Sequence, residues 1–97
     1  MEDNNHELDG LRHKIDALDE ELLSVIAQRM DIVRVVGEYK KAHGLPALDQ
    51  ARWQAVLDAR IARAHVLNQP ADFITRVYTP IHEQALKIED DIINGPS

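Results

Sequence analysis

The chain has 97 residues and a mass of 11.0 kDa, which is the size of a single domain. It contains no cysteine, which excludes disulfide scaffolds, thiolate metal sites and cysteine nucleophiles. Seventeen acidic residues against eleven Lys and Arg give a formal net charge of -6, which argues against nucleic acid and membrane as partners. No signal peptide or membrane span is recognisable, so we expect a cytoplasmic protein with one helical domain over residues 1–97.

The first segment, residues 5–42, has the periodicity of one long amphipathic helix. Its apolar residues recur three or four positions apart, at Leu8, Leu11, Ile15, Leu18, Leu22, Ile26, Val33 and Val36. A helix of about 35 residues is roughly 50 Å long, whereas a compact chain of this size is only about 32 Å across. Because no proline or glycine interrupts residues 11–36, we expect a second copy of the chain to cover this face in a homodimer.

Two shorter helices are predicted after the first, over residues 49–67 and 71–93. Asp49 is a typical N-cap residue for the second helix. Pro80 lies inside the third helix, where it cannot donate a backbone hydrogen bond, so it either kinks that helix or divides it in two. The predicted fold class is all-α, with three helices per chain.

Two cations lie on the apolar face of the first helix. At 100° per residue, Arg29 and Lys40 lie within about 40° of Leu18, whereas Arg12 flanks the stripe. A buried cation is unfavourable unless it is paired, so two interpretations stay open. One is a buried ion pair inside a helical bundle, and the other is a pocket whose cations bind an anionic ligand. Arg52, near the start of the second helix, could face the same pocket.

The sequence contains no other motif for catalysis or for cofactor binding. Neither a P-loop nor a dinucleotide-binding glycine pattern occurs, and Ser24 has no histidine nearby in the sequence to activate it. The histidines lack metal-ligand spacing, and we interpret each as a surface or helix-edge residue: His6, His13, His43, His65 and His82. We therefore expect neither a metal nor a cofactor.

The chain resembles the all-helical chorismate mutases of bacterial type over residues 8–92. The opening motif is Leu11-Arg12-His13-Lys14-Ile15-Asp16-Ala17-Leu18-Asp19. Further matching segments are Ala27-Gln28-Arg29-Met30, Val36-Gly37-Glu38-Tyr39-Lys40, Pro46-Ala47-Leu48-Asp49-Gln50-Ala51-Arg52 and Phe73-Ile74-Thr75-Arg76-Val77-Tyr78. The resemblance implies an intertwined homodimer with shared active sites, which rearranges chorismate to prephenate in aromatic amino-acid biosynthesis.

The residues of this chain suit such a reaction. The rearrangement is unimolecular, so it requires a dicarboxylate held in a compact conformer and charge stabilised on the breaking ether oxygen. The resemblance implies that Arg12 of one chain and Arg29 of the other bind the two carboxylates. It also implies that Lys40 hydrogen-bonds the ether oxygen and one carboxylate, that Arg52 positions the substrate, and that the Asp49 backbone contacts the ring hydroxyl.

Three positions depart from the best-known bacterial pattern. Trp53 replaces a Glu that accepts from the ring hydroxyl, although it also suits a hydrophobic staple at the start of its helix, and Ala85 replaces a Ser. Glu89 replaces the Gln that donates to the ether oxygen, similar to some fungal relatives, and must be protonated to donate. We therefore predict that kcat/KM rises toward acid pH. The alternatives are an isochorismate-pyruvate lyase, a mutase of an aminated chorismate analogue, and a non-catalytic helical dimerisation or regulatory module.

Overall fold

The computed structural model describes residues 2–95, with side chains from residue 5 onward. It contains three helices: α1 over Glu2–Ala42, α2 over Gln50–Val66 and α3 over Ala71–Asn94. No strand occurs among these residues, so the predicted all-α class with three helices and a very long first helix is confirmed. None of the described helices is both long enough and apolar enough to span a membrane.

The chain divides into two compact units, and the N-terminal unit is Met1–Ile32. All of its described residues belong to α1. The large apolar side chains of the predicted stripe are exposed within the single chain: Leu8, Leu11, Ile15, Leu18 and Leu22. Nearer the end of this unit Arg29 is half-buried and Met30 is buried. An exposed apolar stripe on a helix is typical of a surface that packs against another protein surface.

The C-terminal unit, Val33–Ser97, holds the last turns of α1 together with α2 and α3. Helices α2 and α3 contact each other. Their buried apolar residues are small or β-branched, namely Val56 and Ala64 on α2 and Ala85 on α3. Small residues let helix backbones approach closely, and they leave room beside them for the larger polar side chains described below.

A glycine sets the distance between α1 and α3 in this unit. Gly37 is buried, and a Cβ placed on it would lie 3.0 Å from the Cδ1 atom of Ile92 and 3.3 Å from the Cα atom of Glu89. The second of these neighbours is backbone, which cannot turn away as a side chain can. Glycine at this position therefore lets α1 approach the residue that carries the Glu89 carboxylate.

The structure tests two predictions from the sequence, the Asp49 cap of α2 and the effect of Pro80 on α3. Asp49 is the N-cap of α2, since its Oδ1 accepts a hydrogen bond from the backbone N–H of Arg52 at 3.0 Å. Helix α3 runs through Pro80 as one helix, so the alternative of two separate helices is not observed. Immediately before Pro80, the Thr79 hydroxyl donates to the carbonyl of Thr75, one turn earlier in α3, at 2.7 Å.

Candidate active site

An ion pair between α1 and α3 is the centre of the candidate site in the C-terminal unit. The Nζ atom of Lys40 lies 2.6 Å from Oε1 of Glu89. The same ammonium donates a hydrogen bond to the carbonyl of Ala47 at 2.6 Å. Because the side chains of Lys40 and Glu89 are only 18% and 9% exposed, water and salt screen the pair weakly. Lys40 and Glu89, which are both residues of the predicted site, thus lie together.

The Glu89 carboxylate keeps hydrogen-bonding capacity at this site. Its Oε1 atom is buried, and among the described residues its close polar neighbour is the ammonium of Lys40 at 2.6 Å. The same ammonium lies at hydrogen-bond distance from both the Glu89 carboxylate and the carbonyl of Ala47. An ionised carboxylate with this geometry can accept from a ligand, and a protonated one can donate to it.

The segment that joins α1 to α2 encloses Lys40 on a second side. The backbone N–H of Leu45 donates to the carbonyl of Lys40 at 2.9 Å. A pocket of about 300 Å³ lies here, lined by Lys40, Leu45, Pro46, Leu48, Asp49 and Gln50. Its volume is at the lower end of the range for small-molecule sites. The cap residue Asp49 therefore lines the same pocket as Lys40.

The three arginines of the predicted site lie in different environments. Arg29 is half-buried in the N-terminal unit, and its Nη1 atom is buried with no hydrogen-bond partner among the described residues. Arg12 is exposed and lies 3.8 Å from Asp9. Arg52 is exposed in the first turn of α2. A buried donor without an acceptor is unfavourable, and a bound anion would supply the missing acceptor. Of these three arginines, Arg29 therefore has the properties of an anion-binding residue.

A stacked aromatic pair joins α2 to α3, and our sequence interpretation did not include it. The rings of Trp53 and His82 are nearly parallel, at 5°, with their centroids 3.9 Å apart, and both residues are half-buried. The spacing of residues in the sequence gave one indication that His82 lies near other residues of the predicted site. His82 precedes Ala85 by one turn and Glu89 by two, so it shares their face of α3. Together these features define a helical protein with a charged site for a small polar ligand.

Comparison with known proteins identifies the family. Residues 11–90 match the family model described as chorismate mutase type II. The 4-amino-4-deoxychorismate mutase of Streptomyces venezuelae is 33% identical to this chain over 94 residues, which are 95% of this chain and 89% of that protein. The T-protein of Enterobacter agglomerans is 35% identical over 85 residues, and the bifunctional chorismate mutase/prephenate dehydratase of Escherichia coli K12 is 31% identical over 84 residues. The chain belongs to the chorismate mutase type II family, as its resemblance indicated.

The relatives differ in how much of their length this chain represents. It spans 23% of the T-protein and 22% of the bifunctional protein, but nearly the whole of the Streptomyces venezuelae mutase. A second 4-amino-4-deoxychorismate mutase, from Streptomyces pristinaespiralis, is 36% identical over 88 residues, and these are 67% of that protein. The proteins similar to this chain are thus named for mutases of more than one substrate, namely chorismate and 4-amino-4-deoxychorismate.

Proposed function

We propose that this chain is a cytoplasmic chorismate mutase, an isomerase that converts chorismate to prephenate in aromatic amino-acid biosynthesis. The observation that carries the proposal is the half-buried ammonium of Lys40, held 2.6 Å from Glu89 beside a pocket. A rearrangement within one molecule needs a fixed conformer and stabilised charge, and a shielded cation supplies the second of these. No cofactor or metal enters this proposal.

Lys40 stabilises the charge that develops on the ether oxygen as the carbon–oxygen bond breaks. Its ammonium has three donors, of which one is used by the carbonyl of Ala47 and another side is occupied by Glu89. The remaining donor is available to the ether oxygen or to a substrate carboxylate. Because the ammonium is already fixed and largely shielded from water, it needs little rearrangement when the charge appears.

Arg29 and Arg12 bind the two carboxylates. A substrate carboxylate would provide the acceptor that the buried Nη1 of Arg29 lacks among the described residues. Arg12 is exposed, and its contact with Asp9 at 3.8 Å is a weak surface ion pair that a carboxylate can replace. Arg52, also exposed, positions the substrate from the first turn of α2.

The proposed active unit is a homodimer with shared active sites. The apolar side chains of the N-terminal unit are exposed in the single chain, for instance Leu11 at 56% and Leu18 at 62%. A second copy that packs on this stripe would bury it, and such burial is worth about 1.5–3 kcal/mol for each large apolar side chain. Arg12, at the edge of the stripe, would then contribute to the site of the partner chain.

Glu89 donates a hydrogen bond to the ether oxygen when it is protonated. An ionised carboxylate at that place would repel the developing negative charge, so the protonated form is the active one in this proposal. The short contact with Lys40 has its full electrostatic strength when Glu89 is ionised. Substrate binding and proton uptake at Glu89 are therefore expected to compete with the Lys40–Glu89 ion pair.

The same rearrangement of 4-amino-4-deoxychorismate is a second candidate function. It is supported by the two similar Streptomyces 4-amino-4-deoxychorismate mutases, one of which matches this chain over nearly its whole length. Trp53 weakens the argument for chorismate, because an indole can donate but cannot accept a hydrogen bond from a ring hydroxyl.

Parallel assays with the two substrates test the proposal. We expect the ultraviolet absorbance of chorismate to fall as prephenate forms, and the ratio of kcat/KM values for chorismate and its amino analogue identifies the preferred substrate. Isochorismate with detection of salicylate tests the lyase. If none of the three compounds is turned over, the enzyme proposal is wrong and a dimerisation or regulatory module remains.

An arginine variant separates an active site from a structural ion pair. We expect Arg29→Ala to lose most of its kcat/KM while the helical content and the thermal midpoint persist, because no described residue is left without its partner. A loss of several kcal/mol in unfolding free energy would instead indicate a buried structural pair. Arg63→Ala, which removes an exposed guanidinium from α2, is the matched control and should retain full activity.

A further inference from the structure

One polar residue of the pocket beside Lys40 has no role in the mechanism above. Of the residues that line this pocket of about 300 Å³, Lys40, Asp49 and Gln50 carry polar side chains. Gln50 is the first residue of α2, directly after the cap. Its side chain ends in an amide, which has an oxygen that accepts and an NH2 group that donates. A ligand that fills this pocket to reach Lys40 therefore has Gln50 as a neighbour.

The other polar groups of this pocket already have partners within the chain. The ammonium of Lys40 lies 2.6 Å from Oε1 of Glu89. The Oδ1 atom of Asp49 accepts a hydrogen bond at 3.0 Å from the first turn of its own helix. The amide of Gln50, in contrast, makes no hydrogen bond with any residue that the structure describes. Both its oxygen and its NH2 group are therefore available to a ligand.

The substrate of the proposed reaction has a hydrogen-bond donor close to the atom that Lys40 contacts. The ether oxygen and the hydroxyl or amino substituent are attached to neighbouring atoms of the six-membered ring. A residue that binds the substituent must therefore line the same part of the site as the ammonium that binds the ether oxygen. Gln50 meets this condition, because it lines the pocket together with Lys40. Trp53, whose indole can only donate, supplies no acceptor for that substituent.

We propose that the amide oxygen of Gln50 accepts a hydrogen bond from the hydroxyl or amino substituent of the substrate ring, and that Gln50 thereby contributes to the choice of substrate. The inference rests on the proposed function, because it requires a cyclic substrate with a donor next to its ether. A neutral amide accepts from a hydroxyl and from an amine alike, whereas a carboxylate at the same place favours a protonated amine. Because Gln50 is exposed in the single chain, this bond replaces one to water, and its contribution is moderate.

A methionine substitution removes the amide without a large change in shape. Methionine has a length and a helix propensity similar to those of glutamine, so Gln50→Met should fold normally. We expect kcat/KM on the preferred substrate to fall by about 3- to 10-fold, chiefly through a higher KM, because the hydrogen bond exists both before and during the rearrangement. Gln69→Met, at an exposed glutamine beyond the other end of α2, is the control and should match the wild type. Thermal midpoints by circular dichroism verify that each variant is folded.

A charged acceptor at the same position tests the choice of substrate. Because an aliphatic amine is protonated near neutral pH, Gln50→Glu should raise the ratio of kcat/KM for the amino analogue over that for chorismate, by about 3- to 10-fold. A carboxylate is compatible with the start of α2, since it interacts favourably with the positive end of the helix dipole. A general loss of activity leaves this ratio unchanged, so a structural role for Gln50 predicts no shift.

An analogue that lacks the ring substituent completes the test. On this compound the wild type and Gln50→Met should have equal kcat/KM, because no hydrogen bond to the substituent exists to be lost. A loss that persists on the analogue, or wild-type activity of Gln50→Met on the preferred substrate, would overturn the inference while the proposed function stands. An unchanged substrate ratio in Gln50→Glu would overturn it too. If the wild type turns over neither chorismate nor its amino analogue, the proposed function fails and this inference with it.

Discussion

The two units of this chain have helices of similar periodicity, but their apolar faces differ in burial. In the N-terminal unit Leu18 and Leu22 are 62% and 57% exposed, whereas in the C-terminal unit Val56 and Ala85 are 8% and 6% exposed. The pattern of apolar residues predicts a helix and its face in both regions. The pattern does not predict what covers each face. In the C-terminal unit other residues of the chain cover it, whereas in the N-terminal unit the face is exposed in the single chain.

The ion pairs of the two units differ in the same way. Arg12 and Asp9 lie 3.8 Å apart with both side chains mostly exposed. Lys40 and Glu89 lie 2.6 Å apart with both side chains mostly shielded. Exposed pairs contribute about 0–1 kcal/mol, whereas removal of one partner from a buried pair costs about 3–5 kcal/mol. The two pairs therefore have very different consequences for stability.

The largest expected effect concerns the exposed stripe of the N-terminal unit. The double variant Leu18→Asp, Leu22→Asp would place two carboxylates in the proposed dimer interface, so we expect loss of the dimer and of cooperative unfolding. Light scattering measures the mass, and circular dichroism measures the unfolding transition. Ser24→Asp adds a charge to another face of the same helix and should leave both unchanged. A dimer that survives the double variant would contradict the assignment of this stripe to the interface.

The next effect concerns the shielded pair of the C-terminal unit. Lys40→Met removes the cation while keeping a side chain of similar length, and we expect kcat/KM to fall by about 10²–10³-fold. The unfolding free energy should also fall, by about 3–5 kcal/mol, because Glu89 would be buried without its partner. Lys41→Met, at the exposed neighbouring residue, should change neither quantity. Wild-type turnover by Lys40→Met would remove Lys40 from the mechanism.

A change of pH tests the other partner of the pair. Because protonated Glu89 donates to the ether oxygen and ionised Glu89 repels it, kcat/KM should rise as the pH falls. Glu89→Gln donates at every pH and should flatten the profile. Asp90→Asn, at an exposed carboxylate one residue later, should retain the wild-type profile. A wild-type profile that is already flat from about pH 5 to 8 would exclude this role, because a side chain that donates only when protonated must lose that function as it ionises.

The smallest effect compares one glycine from each unit. Nothing lies within 4 Å of a Cβ placed on Gly10, so Gly10→Ala should stabilise the protein by about 1 kcal/mol through helix propensity. At Gly37 the new methyl group would lie 3.3 Å from the Cα atom of Glu89, and Gly37→Ala should destabilise by about 1–3 kcal/mol. Chemical denaturation measures both changes. Shifts of the same sign would show that α1 and α3 are less tightly packed than described.

Sequence patterns predicted local features well. The three helices follow from the spacing of apolar residues, and the Asp49 cap follows from a residue type whose side chain bonds to its own helix. The position of Lys40 on an apolar face also indicated a shielded cation, which the structure confirms with 18% exposure. These features depend on residues within a few turns of one another.

Long-range contacts could not be predicted in the same way. Periodicity predicts which face of α1 carries Lys40 and which face of α3 carries Glu89. It does not predict that these two faces meet, because that depends on the close approach of the helices at Gly37. The Trp53–His82 stack has the same origin, since helix packing creates it and neither residue has a local partner that signals it. The resemblance to the family identified Glu89 as a candidate site residue, but it did not identify His82 as one.

The turn after α1 has a consequence for how the site can change over evolutionary time. The carbonyl of Lys40 accepts from Leu45 and its ammonium donates to Ala47, so both ends of this residue are attached to one short stretch. An insertion of one residue there would displace the Ala47 carbonyl by up to about 3.8 Å, beyond hydrogen-bond reach of the ammonium. Variation in turn length could therefore adjust turnover while every reactive side chain is retained. Directed evolution that allows insertions and deletions would sample this route, which point substitution does not reach.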